Sequence, residues 1–272
     1  MNIVYCGDKN IRDGVLTSVL SLLRFQQLPL NVTIATARIN AKGKTFEAID
    51  ADFAKNLDDL LQSERPGSSA ALLDLSKPFN GSPPTANLGT RFTPCCMLRL
   101  YLDFAPEVRG RILYLDNDVL CHGPLDELET LDMHGAEIAG VLDRYGRWFF
   151  HNEARGWDYL NSGVLLMDMD LIRKNSLFER CREMCAKKKL FMPDQSAINK
   201  LSPKKHQLPR RFNEQHRIRP DTALQHFSTR FGPCGLINVK PWQTERMHTE
   251  LNLHAYDDIL ERYLQLRDQF IA

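Results

Sequence analysis

Apolar residues run from Ile3 to Cys6 almost at the chain's start, the signature of a short buried strand, followed by the loop Gly7–Asn10. Val15, Leu16, Val19, Leu20, Leu22 and Leu23 then recur at helical spacing. Asn31–Ile39 alternates and is rich in Val, Thr and Ile, predicting a second strand. A helix over Phe46–Gln62 follows, with Phe46, Ile49, Phe53, Leu57 and Leu60 on one face. This order predicts an α/β fold, a mostly parallel twisted sheet flanked by helices.

Ala70–Leu75 reads as a third strand. The segment 77–89 holds Pro78, Gly81, Pro83 and Pro84, which argues against regular structure and predicts a mobile loop. Pro94–Phe104 reads as a helix, with Thr93 as its N-cap and Pro94 in the first position, where a missing N–H has no consequence. Arg111–Leu115 and Glu137–Leu142 are further strands. Asn161-Ser162-Gly163 reads as a turn feeding the strand Val164–Met167. Leu171–Lys188 is helical, and Leu224–Phe227 is one more short strand. Ala255–Phe270 is a terminal amphipathic helix with Ile259, Leu260, Tyr263, Leu264 and Leu266 as its apolar positions.

At 272 residues, 43% hydrophobic and 25% charged, the chain can fill one large globular core. A net charge of +1 gives no global field toward nucleic acid. Charge is uneven locally. Lys200, Lys204, Lys205, Arg210, Arg211, Arg217 and Arg219 stand against the single acid Glu214 in residues 200–219. This is either a solvated loop or a patch for an anionic acceptor or membrane surface. Seven cysteines with no C-x-x-C pair suit a reducing compartment, and Cys181 and Cys185, one turn apart, suit helix packing. Without a signal-peptide pattern or an 18-residue apolar run, a cytoplasmic location is expected, with peripheral contact on an anionic membrane face as a further expectation.

The chemistry begins at Asp116-Asn117-Asp118, where the apolar run 111–115 ends. Two carboxylates one residue apart can hold a hard divalent cation with positions left open for phosphate oxygens. The same tripeptide is also good turn chemistry. Open α/β sheets bind ligands outside the carboxyl ends of their strands, which singles out this segment and the loop Cys6–Asn10. That loop is no G-x-G-x-x-G, which argues against a dehydrogenase-type dinucleotide site. Asn161 suits a sugar hydroxyl, and Gly163 permits a close backbone approach or a tight turn. A helix beginning near Met192 would aim Asp194 and Gln195 into the cleft, although Asp194 could serve as an N-cap.

These segments together resemble retaining glycosyltransferase family 8, the family of bacterial lipopolysaccharide galactosyl- and glucosyltransferases and of glycogenin. The resemblance is carried by Ile3–Asn10, Tyr114–Leu120, Leu160–Leu165, Pro193-Asp194-Gln195, Gln225-His226-Phe227 and Lys240-Pro241-Trp242. It implies a GT-A fold over residues 1–242, with 243–272 as a C-terminal helical extension, a UDP-sugar donor (UDP-glucose or UDP-galactose) and Mn²⁺ or Mg²⁺. It further implies Asp116, Asp118 and His226 as metal ligands, with Asn117 between them. Cys6, Asp8 and Asn10 would form the uridine loop, and Arg99 and Asp143 would hold the donor sugar. Asn161, Asp194 and Gln195 would face the anomeric carbon, and Lys240 the diphosphate. The expected reaction moves galactose or glucose to a saccharide or glycolipid.

The chain departs from the family twice. Ile11 stands where an aromatic residue often stacks on uracil. An insert, 229–238, separates His226 from Lys240, so that Arg230 could replace the lysine or the insert could form a lid. Two other classes compete: a sugar nucleotidyltransferase, for which Gly7-Asp8-Lys9 is a poor triphosphate loop, and a non-catalytic nucleotide-sugar or glycan-binding protein.

Overall fold

The computed structural model describes residues 1–146, 158–232 and 235–271. Seven strands form the central sheet. They are β1 (Asn2–Gly7), β2 (Asn31–Thr36), β5 (Ser69–Asp74), β6 (Arg111–Leu115), β8 (Ile138–Leu142), β9 (Leu160–Asp168) and β10 (Lys205–Gln207), in the order β10-β8-β9-β6-β1-β2-β5. Every neighbouring pair is parallel except those of β9, which runs antiparallel to both β6 and β8. Both faces are covered, so the strands alternate between two cores rather than between core and water. Ile3, Tyr5, Leu113, Leu115, Val164 and Leu166 enter one core; Val4, Ile112, Tyr114, Leu165 and Met167 enter the other.

Three two-stranded ribbons complete the strands: β3 (Ile39–Ala41) with β4 (Lys44–Phe46), β7 (Val119–Cys121) with β11 (Leu224–His226), and β12 (Arg230–Gly232) with β13 (Gly235–Ile237). The helices are α1 (Arg12–Phe25), α2 (Ala51–Glu64), α3 (Ser76–Gly81), α4 (Asp126–Thr130), α5 (Met169–Lys174), α6 (Leu177–Lys187), α7 (Pro193–Leu201), α8 (Thr244–Leu251) and α9 (Asp257–Phe270). Helix α1 is buried from Gly14 to Leu23 because its polar residues also find partners inside. Ser18 Oγ meets Tyr5 OH at 2.8 Å and donates to Val119 O at 2.7 Å, and Ser21 Oγ accepts from Cys121 N.

Several local expectations need correction. The strand at 31–39 stops at Thr36 and the chain turns into the β3–β4 hairpin, which takes Phe46 out of the helix. Helix α2 starts later, capped by Asp50 on Phe53 N at 2.8 Å, and buries Leu61 rather than Leu60. Pro94–Phe104 is a 3₁₀-helix, and Thr93 makes no side-chain cap to it. Residues 161–163 are no turn; they lie within β9, between Leu160, which pairs with β8, and Val164–Asp168, which pair with β6, where the register to β8 shifts between Gly140 and Leu142. Leu171–Lys188 is split at Ser176, which adopts φ 49°. Leu264 is 54% exposed.

The segment 77–89 carries α3 and a 3₁₀ turn (Thr85–Asn87), and fully buried Asn87 ties it to the end of α6. Asn87 Nδ2 donates to Cys185 O (2.6 Å) and Lys188 O (2.7 Å), while its Oδ1 accepts from Leu190 N (2.8 Å). Asn87→Ala leaves those groups unpaired and is expected to lower stability by about 1–3 kcal/mol, read from urea unfolding.

Candidate active site

Asp116 and Asp118 occupy the turn between β6 and β7. Asp116 N donates to Gly163 O at 2.8 Å, and Val119 N closes the turn on Asp116 O at 3.1 Å. The β7–β11 ribbon pairs Val119 with His226, so a histidine remote in sequence arrives beside the two acids. His226 Nε2 lies 3.3 Å from Asp118 Oδ1 and 3.8 Å from Asp116 Oδ2. The ligating atoms of the three residues all fall within 4.8 Å of one another.

Each carboxylate is anchored by one oxygen and leaves the other directed at the imidazole. Asp116 Oδ1 accepts from Arg99 Nη2 at 2.8 Å and Tyr114 OH at 2.7 Å. Asp118 Oδ2 accepts from Lys240 Nζ at 2.5 Å. The β12–β13 hairpin absorbs the insert after His226 and returns the chain to this point, so its length does not remove Lys240. Arg230 instead donates to His216 O. Pro233 and Cys234 lie outside the described residues.

The imidazole orientation follows from its other nitrogen. Asn161 Oδ1 accepts from Gly163 N (3.0 Å) and Asn213 Nδ2 (2.9 Å), while its own Nδ2 donates to Asp143 Oδ2 (2.9 Å). Its carbonyl oxygen therefore faces His226 Nδ1 at 3.1 Å, and the hydrogen-bond network assigns the proton to Nδ1. Nε2 is left facing two carboxylate oxygens, an arrangement that can hold a cation between them. Two carboxylates and an imidazole suit Mn²⁺ or a similar divalent ion, with the Asn161 contact orienting the histidine as outer-shell partners do. Burial works against ionisation of Asp118, but Lys240 and His226 outweigh it and hold the carboxyl below its usual range. Burial likewise opposes charge on His226, and Asp118 and Asp116 more than offset it.

Gly163 has a specific role here. A Cβ on it would fall 2.2 Å from His226 Cε1, so its bare backbone leaves room for the ring rather than for a ligand. Gly163→Ala is expected to push the imidazole out, lowering stability by about 1–3 kcal/mol and weakening metal binding. Thermal unfolding and a Mn²⁺ titration would show both effects.

Arg99, only 3% exposed, connects this cluster to the next. Its Nε lies 3.2 Å from Asp194 Oδ2, it donates to Ser162 O, and its guanidinium sits 4.0 Å over the Tyr114 ring. Burial raises the Asp194 carboxyl above its usual range despite Arg99. Asp194 is in the first turn of α7 and is not the cap; Met192 holds that place. Gln195 Oε1 accepts from Ser162 N (3.0 Å) and Ser162 Oγ (3.1 Å), and its Nε2 donates to Asp143 Oδ2 (3.2 Å). Asn161, Asp143, Gln195, Asp194, Arg99, Asp116, Asp118, His226 and Lys240 thus form one connected network.

The loop after β1 stands at the same edge of the sheet. Asp8, buried, accepts from Asn10 N and Nδ2 at 3.0 Å each, while Asn10 is exposed. Burial raises the Cys6 thiol strongly, which keeps it neutral. Asn117 packs against α1: a Cβ on Gly14 would fall 2.4 Å from Asn117 O and 2.7 Å from Trp242. Sequence reasoning missed Tyr114, Ser162, Gly14 and Asn213. Asn213 lies among charged neighbours, and only the polar run Asn213-Glu214-Gln215 after Phe212 could have marked it.

The sequence model of glycosyl transferase family 8 matches residues 2–245. The chain belongs to this family. It is 28% identical over 178 residues to glycosyltransferase GlyF of Streptococcus pneumoniae serotype 4, covering 63% of this chain and 42% of GlyF. It is 31% identical over 198 residues to the lipopolysaccharide 1,2-glucosyltransferase of Escherichia coli, 58% of each chain. This family 8 chain therefore spans about half the length of the curated relatives it matches. The crystal structure of the galactosyltransferase LgtC, in complex with donor and acceptor sugar analogs, aligns with 100% of this chain and 97% of its own at TM-score 0.67 and 20% identity. GlyE of Streptococcus pneumoniae aligns with 97% of this chain and 64% of its own at TM-score 0.63 and 18% identity. At such identities the likeness establishes the GT-A fold. No helix among the described residues is long and apolar enough to cross a membrane.

Proposed function

We propose that this family 8 chain is a retaining hexosyltransferase that moves glucose or galactose from a UDP-sugar to a saccharide or glycolipid, with Mn²⁺ as cofactor. The carrying observation is the convergence of Asp116 Oδ2, Asp118 Oδ1 and His226 Nε2 while the remaining oxygens and Nδ1 are held by Arg99, Tyr114, Lys240 and Asn161. Those three atoms would hold the ion. When bound, it supplies Lewis-acid stabilisation of charge on the departing diphosphate.

The chain's own groups do the rest. Lys240, beside Asp118, adds a positive charge where the diphosphate would lie. Asp8 and Asn10 take the uridine, with the Cys6 backbone. Asp143 and Arg99 hold donor hydroxyls, and Asn161 orients His226. Gln195 offers an amide that is engaged at both ends and is a poor nucleophile, and Asp194 is tied to Arg99. That favours front-side attack by the acceptor hydroxyl over double displacement. Residues 1–242 would form the transferase domain and 243–272 a helical extension, whose α9 packs Ile259, Leu260, Tyr263 and Phe270 inward.

Peripheral contact with an anionic membrane is a side expectation only. Lys204, Lys205, Arg210, Arg211 and Arg219 of the basic stretch are engaged by protein partners, and α9 directs most of its apolar face inward. Sedimentation with anionic vesicles at low salt would support it, and its absence would remove it. For the function itself, saturating UDP-glucose or UDP-galactose with Mn²⁺ is expected to raise Tm by about 5–10 °C. UDP release should follow when an acceptor is added. No shift with either donor would sink the proposal.

A further inference from the structure

Among the described residues, one other group of side chains gathers as a metal site would: His248, His254 and Asp257, at the corner between α8 and α9. His248 Nε2 lies 2.7 Å from Asp257 Oδ1, and His254 Nδ1 lies 3.1 Å from Asp257 Oδ2. The two rings stack at 4.4 Å between centroids, tilted by 25°, so both imidazoles present a nitrogen to one carboxylate. All three ligating atoms fall within 4.8 Å of one another.

The backbone beneath them is fixed. Asn252 ends α8 in the left-handed region at φ 48°, and its N–H and that of Leu253 donate back to His248 O and Met247 O. Asp257 N donates to His254 O at 3.2 Å, and buried Tyr256 anchors the start of α9. The three ligands are therefore held before any ion arrives. Their side chains are 35%, 58% and 47% exposed for His248, His254 and Asp257, so an ion could reach them from solvent.

We propose that His248, His254 and Asp257 form a second cation site, separate from the catalytic cluster, that takes a borderline divalent metal such as Zn²⁺ and clips α8 to α9. Two imidazoles and one carboxylate suit such an ion, with open positions left for water. The catalytic cluster has the opposite composition, two carboxylates and one imidazole, and suits a harder ion. The two sites would thus sort metals by ligand type. The clip would brace the surface against which α1 packs, since Tyr263 and Arg267 of α9 both reach Asp13 at the start of α1.

The test is calorimetric titration of the full chain, untagged and chelator-stripped, with Zn²⁺. One equivalent should bind with micromolar or tighter affinity in wild type and in Asp118→Ala. The double variant His248→Ala/His254→Ala should bind that equivalent about tenfold or more weakly and lose the Zn²⁺-induced rise in Tm, while keeping its metal-free Tm and its Mn²⁺-dependent transfer. Zn²⁺ binding only at millimolar concentration, or unchanged binding in the double variant, overturns the proposal.

Discussion

Asp118→Ala is expected to lower sugar transfer by about a thousandfold, measured as Mn²⁺-dependent UDP release at saturating donor. The substitution removes one of the two carboxylate oxygens that face His226, and also the anchor of Lys240. The Lys240 charge left unpaired would repel the proposed ion. Asp116→Ala should behave similarly, with Arg99 and Tyr114 as the orphaned partners. A near-ultraviolet circular dichroism spectrum like that of wild type would separate loss of chemistry from loss of fold. Rates within tenfold of wild type in both variants would remove the metal assignment.

Arg99→Met is expected to be the most destabilising single change in the site, by about 3–5 kcal/mol. Methionine roughly keeps the bulk but leaves Asp116 and Asp194 without their shared cation. The effect should depend on pH in a defined direction. Burial already raises the Asp194 carboxyl above its ordinary value in the presence of Arg99. A group whose folded pKa is raised contributes fully below its unfolded pKa, near 3.9, and that contribution fades as pH rises through the folded value. Removing Arg99 raises the folded value further. The stability gap between Arg99→Met and wild type should therefore be small near pH 4 and largest at neutral pH. A gap that is flat or shrinks with rising pH would refute the account.

The strands that carry the site were legible because they are buried on both faces. Arg111–Leu115 and Ile3–Cys6 read as strands from their composition, and both open directly into candidate ligands. The family resemblance added the histidine, which spacing alone would have left as an ordinary core residue. Long-range geometry was not legible. Nothing local in Asn161-Ser162-Gly163 distinguishes a turn from the interior of an antiparallel strand, since the decision rests on the pairing of the residues on either side, Leu160 with β8 and Val164–Asp168 with β6. Glycine was read as allowing a ligand close, and it proved to make room for a ring brought in by a ribbon that the sequence does not reveal as such. The helix starting at Phe46 failed for a related reason: the apolar face was real, but a hairpin claimed its first turn.

The reversed direction of β9 has a consequence for how this protein can change. Its early residues, Asn161 to Gly163, orient the histidine, and its later ones, Val164 to Met167, alternate between the two cores. Losing one residue in the later half would shift the register of the segment that adjoins Asn161–Gly163. The carbonyl that steadies the imidazole and the gap that admits it would then be displaced from the ring. Mutational drift can thus lengthen connections outside this strand far more readily than it can trim the strand itself.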